Sequence, residues 1–167
     1  VINFLKTKYG SEIEINLVGH SMASDIVIRA SENQNISSIA AISPYSTKVT
    51  ANFPKDLLLT SGQFERHLRK HSLKFIQLVY PGAEENIEYS NGTIKRKASY
   101  AKNTGHVSVI YSPYTSREII EWFDLKNYER SIWATHIIWI LLALAMITYG
   151  LSRLQLSKTK YLQKQRL

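Results

Sequence analysis

Ser21 stands in the run "INLVGHSMASDIVIRA" (residues 15–30), with Gly19 two residues before it and Ala23 two residues after. A serine in such a place can do two different jobs. It can cap the helix that follows, its hydroxyl accepting a hydrogen bond from a backbone N–H in the first turn. Alternatively it can be a nucleophile on a sharp strand-to-helix turn. The chain must then also supply a base to take its proton and a carboxylate to hold that base. The absence of cysteine excludes thiolate nucleophiles, thiolate metal sites and disulfides. His67 and His71 lie four apart, a spacing at which two imidazoles can share a metal. No glutamate or third ligand follows at a helpful distance, so both are read as solvent-facing, and neither metal nor cofactor is expected.

Any such residues must be placed by the elements around them. Short apolar runs alternate with helical stretches over residues 1–125, which suggests parallel βαβ units and an α/β fold. Residues 1–9 read as a helix closed by Gly10. "EIEINLVG" (12–19) reads as a strand, and "MASDIVIRASEN" (22–33) as a helix with Met22, Ile26, Ile28 and Ala30 at helical spacing. "ISSIAAIS" (36–43) and "KDLLLTSG" (55–62) read as buried strands. "ERHLRKHSLKFIQLVY" (65–80) is an amphipathic helix with Leu68, Phe75, Leu78 and Val79 expected inside. Asn91-Gly92 marks a hairpin whose second arm would be the next sheet strand. "SPYTSREIIEWFDL" (112–125) is a last helix, capped by Ser112 or Thr115, with Ile119, Ile120 and Phe123 expected inside.

Gly19-His20-Ser21-Met22-Ala23, between an apolar strand and a helix, resembles the nucleophile elbow of the α/β-hydrolase superfamily, G-x-S-x-G, with Ala23 replacing the last glycine. The turn is tight enough to demand small residues on both sides of the serine, and alanine is the smallest substitute. The resemblance implies a triad in the order serine, acid, histidine. "LLLTSGQFE" (57–65) then offers Glu65 at the end of a strand, with Glu84 or Glu85 as substitutes, and "KNTGHVSVIYSP" (102–113) offers His106 before the last helix. It also implies that the Met22 N–H is one oxyanion donor and that His20 packs at the elbow. It covers residues 1 to about 125 and only the C-terminal half of that fold, its parallel sheet flanked by helices. The chain is therefore expected to be a fragment of a longer hydrolase, unstable or self-associating alone, with a second oxyanion donor outside it. "PYSTKVTANFP" (44–54) leaves no room for a helical cap, so an open site cleaving small-molecule or lipid esters is expected. The alternative is a non-catalytic, membrane-tethered binding or scaffold module.

The net charge of +8 is a property of the tail. Residues 126–167 carry seven lysines and arginines against one acid, Glu129, leaving 14 basic and 12 acidic residues in 1–125. A nucleic-acid role is therefore not expected. "IWATHIIWILLALAMITYGL" (132–151) has no formal charge, carries Trp133, Trp139 and Tyr149, and precedes five basic residues. It reads as a transmembrane helix, with 126–131 as linker, 152–167 as a basic cytoplasmic tail and the hydrolase domain (1–125) on the far side of the membrane. His136 within it reads as a helix-contact residue. The oligomeric state is left open. Asn35-Ile-Ser37 and Asn91-Gly-Thr93 are glycosylation matches that bear only on a eukaryotic secretory route.

Overall fold

The computed structural model describes residues 1–32, 34–125 and 139–153. Its contacts divide the chain into two units, Val1–Asn127 and Tyr128–Leu167. The first unit is a mixed α/β fold. In chain order it runs α1 (Ile2–Tyr9), β1 (Asn16–His20), α2 (Met22–Ser31), β2 (Ser38–Ile42), β3 (Asp56–Gly62), α3 (Arg66–Gln77), β4 (Glu88–Ser90), β5 (Lys95–Ala101), a 3-10 turn (Ser108–Tyr111) and α4 (Pro113–Trp122). The sheet order is β1-β2-β3-β5-β4. The first four strands in that order are parallel and β4 is antiparallel to β5.

The central strands are apolar throughout because helices cover both faces of the sheet. Every residue of β2 is buried, and so is β3 from Leu57 to Gly62. Alternate side chains serve opposite faces. Ile39, Ala41, Leu57 and Leu59 pack with Ile28 of α2 and with Phe75 and Ile76 of α3. Ala40 and Leu58 pack against Trp122 of α4. Each fully buried leucine contributes about 1.5–3 kcal/mol by leaving water. Since all four parallel strands point the same way, the loops that follow β1, β2, β3 and β5 gather at one end of the sheet.

The inner faces of α2, α3 and α4 match in part those their apolar residues suggest: Ile28 and Phe75 are buried, but other places go to different side chains. In α2 the buried positions are Ser24, Ile28 and Ser31, while Met22 and Ile26 are exposed. In α3 they are Ser72, Phe75 and Ile76, with Leu78 exposed. In α4 they are Thr115, Glu118 and Trp122, while Ile119 and Phe123 are partly buried. Serine and threonine thus take buried places that hydrophobicity alone assigns to larger side chains. Arg96 of β5 is fully buried. It donates to the carbonyls of Phe75 (2.8 Å), Thr50 (2.6 Å) and Pro54 (2.9 Å) and so ties the loop after β2 to α3.

In the second unit, residues 139–153 form a helix with exposed side chains. Among the described residues no helix is long and apolar enough to cross a membrane. Fifteen residues rise about 22 Å, short of the roughly 30 Å hydrocarbon core. This overturns the transmembrane helix expected over 132–151 and the membrane localisation built on it. Residues 126–131, 132–138 and 154–167, which include the expected linker, the start of that span and the basic tail, lie outside the described residues.

Candidate active site

Ser21 occupies the N-cap position of α2, but its side chain makes no cap hydrogen bond. Its backbone lies at φ 56°, ψ −123°, a region glycine favours and other residues adopt at a cost of about 1–3 kcal/mol. Local bonds hold it there. The Ser21 N–H donates to Ile42 O at 2.9 Å, and Ser24 Oγ donates to Ser21 O at 2.5 Å. Gly19 is required by close approach, since a Cβ there would lie 2.5 Å from Ala23 O and 2.8 Å from Val27 Cγ2. Ala23 contributes its backbone to that contact, and its side chain is exposed.

This conformation points Ser21 Oγ at His106 Nε2, 2.9 Å away. His106 Nδ1 in turn lies 2.6 Å from Glu65 Oε1. Three residues 44 and 41 positions apart in sequence therefore form one continuous hydrogen-bonded relay at the carboxyl end of the sheet. The tautomer follows from the partners. An ionised carboxylate only accepts, so Nδ1 carries the proton and Nε2 presents a lone pair to the serine hydroxyl. The His106 side chain is 46% exposed and that of Glu65 only 7%.

Glu65 has two further donors, both on Oε2: Ser43 Oγ–H at 2.6 Å and the Gly62 N–H at 2.5 Å. Burial alone would raise its pKa. The hydrogen bonds from Ser43, Gly62 and His106 outweigh that and hold the carboxyl below its ordinary value. Glu65 therefore stays ionised.

The His106 loop is anchored on both sides. Thr104 Oγ1 donates to Ala101 O at 2.8 Å, the Phe64 N–H to Thr104 O at 3.1 Å, and the Asn103 N–H to Gln63 Oε1 at 2.8 Å. Gly62 allows this proximity, since a Cβ on it would lie 2.6 Å from Thr104 O. His20 packs its ring 4.8 Å from that of His106 and donates from Nε2 to the His106 carbonyl at 2.8 Å. Met22 takes the first position of α2, where a backbone N–H has no intrahelical acceptor and the helix dipole favours negative charge.

The other candidates lie elsewhere. Glu85 pairs with Arg69 at 2.5 Å, and the Glu84 N–H donates to Tyr89 Oη; neither side chain is bonded to His106. His67 is exposed as expected, but His71 is half-buried, stacking 6.0 Å from Tyr45 and edge-on 4.5 Å from Phe75. Desolvation lowers its pKa and so favours the neutral ring. Among the described residues no group of three or more His, Cys, Asp or Glu could hold a metal ion. Sequence reasoning missed Ser43 and the role of Gly62. Ser43 lies at the end of a buried strand before Pro44, and its partner Glu65 is 22 residues away.

No family model, curated protein or solved structure matches the chain. This corrects the resemblance read from Gly19 to Ala23: nothing identifies the chain as a member of the α/β-hydrolase superfamily. A mostly parallel sheet with helices on both faces is common to many families, and five residues around a serine do not single one out.

Proposed function

We propose that the chain is a serine hydrolase that cleaves acyl esters through a covalent acyl-enzyme on Ser21. The observation that carries this reading is the relay from Ser21 Oγ through the His106 ring to Glu65, with links of 2.9 and 2.6 Å. His106 Nε2 takes the hydroxyl proton as Ser21 Oγ forms a bond to the ester carbonyl carbon. Glu65 stays ionised and stabilises the imidazolium. The carbonyl oxygen becomes an oxyanion beside the Met22 N–H, where the N-terminus of α2 favours negative charge. His106 then returns the proton to the departing alkoxide as the carbonyl–oxygen bond breaks. Water, deprotonated by the same nitrogen, attacks the acyl carbon; the bond to Ser21 Oγ then breaks, His106 returns the proton to Oγ and the carboxylic acid leaves.

The surroundings support an apolar acyl group. Each loop that carries a site residue also exposes a large side chain: Met22 after Ser21, Tyr45 beyond Ser43, Phe64 before Glu65 and Val107 after His106. The test is hydrolysis of p-nitrophenyl butyrate by the full chain. Ser21→Ala should lower kcat by at least about 10³-fold. Equal turnover by wild type and variant would refute the reading.

A further inference from the structure

The Glu65 carboxylate has two oxygens, and only Oε1 faces His106. Left free, Oε2 would let the carboxylate turn about its last torsion, which is broad for glutamate. It is not free: Ser43 Oγ, just beyond the neighbouring strand β2, donates to it at 2.6 Å. Ser43 is 1% exposed and lies in the left-handed region at φ 47°. That conformation is uncommon for a residue other than glycine, asparagine or aspartate. Pro44 follows and restricts the same backbone further. The strain is held by the Ser43 N–H, which donates to Thr60 O at 2.7 Å on β3, the strand that leads to Glu65. A strained, buried residue whose hydroxyl is spent on the relay's carboxylate is an arrangement that folding alone does not require.

We propose that Ser43 is a positioning residue of the relay, whose hydroxyl fixes the Glu65 carboxylate so that Oε1 holds His106 Nδ1–H and Nε2 stays aimed at Ser21. This rests on the hydrolase reading for its kinetic consequence and on the resting geometry alone for its structural one. Ser43 does not touch substrate and acts only through Glu65. The Gly62 N–H donates to the same oxygen at 2.5 Å, so Ser43 supplies the second of two anchors on it.

Ser43→Gly tests this, because glycine accepts φ 47° without strain and removes only the hydroxymethyl group. The variant should remain folded, with a melting point lowered only by the loss of that one hydrogen bond. Loss of one hydrogen bond to a charged group should lower kcat on p-nitrophenyl butyrate about tenfold, with KM unchanged. In the resting chain, the far-downfield proton resonance of His106 Nδ1–H should broaden as the carboxylate gains freedom. A folded Ser43→Gly chain with wild-type kcat and an unchanged resonance would overturn the proposal. If wild type hydrolyses nothing, the hydrolase reading fails by itself. The resonance still decides whether Ser43 holds Glu65 in place.

Discussion

Adding one methyl group at Gly62 should disable the site without altering any residue of the relay. A Cβ at this position lies 2.6 Å from Thr104 O and 2.9 Å from both Gly105 O and Thr104 C. All three atoms are backbone, so no flexible side chain can yield. The 104–105 segment must retreat by about 0.8 Å to regain ordinary contact, and His106 moves with it. A misplacement of about 1 Å at reacting groups can cost about 10²-fold in rate. Overpacking of this kind costs about 1–3 kcal/mol in stability. Gly62→Ala should therefore lower kcat on p-nitrophenyl butyrate about 10²-fold while the chain stays folded, as judged by urea unfolding. Gly105→Ala is the matched control. It lies in the same loop beside His106, yet a Cβ there meets nothing within 4 Å, so its rate should stay within about twofold of wild type. Wild-type kinetics in Gly62→Ala would refute the claim that close approach at Gly62 places the base. Equal losses in the two variants would refute it too.

Two further outcomes follow from buried charge. The folded-state pKa of Glu65 is depressed, so its stabilising contribution is present above the ordinary value of 4.5 and is lost as pH falls through the folded value. The stability gap between wild type and Glu65→Gln should be widest near neutrality and shrink as urea midpoints are followed from pH 6 to about pH 3; a gap that widens on acidification would contradict it. Arg96→Met leaves the carbonyls of Phe75, Thr50 and Pro54 without their donor and should cost about 3 kcal/mol in urea unfolding. An unchanged midpoint would show that the buried guanidinium is not what secures the loop after β2.

The parallel strands were legible because "SIAAI" and "DLLLTSG" are apolar on both faces. Asn91-Gly92 was legible as a turn from its own chemistry. The inner faces of the helices were less so. On α2, Met22 and Ile26 are as apolar as Ile28, and only the tertiary packing decides that Ile28 turns inward. Nothing in "KRKAS" sets Arg96 apart from the lysines beside it, yet it is fully buried, with three carbonyls of other segments converging on it. At the site, Ser21, Glu65 and His106 were picked by type and order, and the fold brings their side chains within hydrogen-bonding distance. Ser43 and Gly62 were not, because their roles are contacts between loops distant in sequence. The apolar run 132–151 has the composition of a span, but hydropathy measures composition alone, and among the described residues no helix is long and apolar enough to cross a bilayer.

The most direct test of the account is the reaction of the full chain with a fluorophosphonate, followed by mass spectrometry of the labelled peptide. One adduct is expected, on Ser21, absent in Ser21→Ala and strongly slowed in Glu65→Gln. A folded chain that remains unlabelled, or an adduct on another residue, would contradict it.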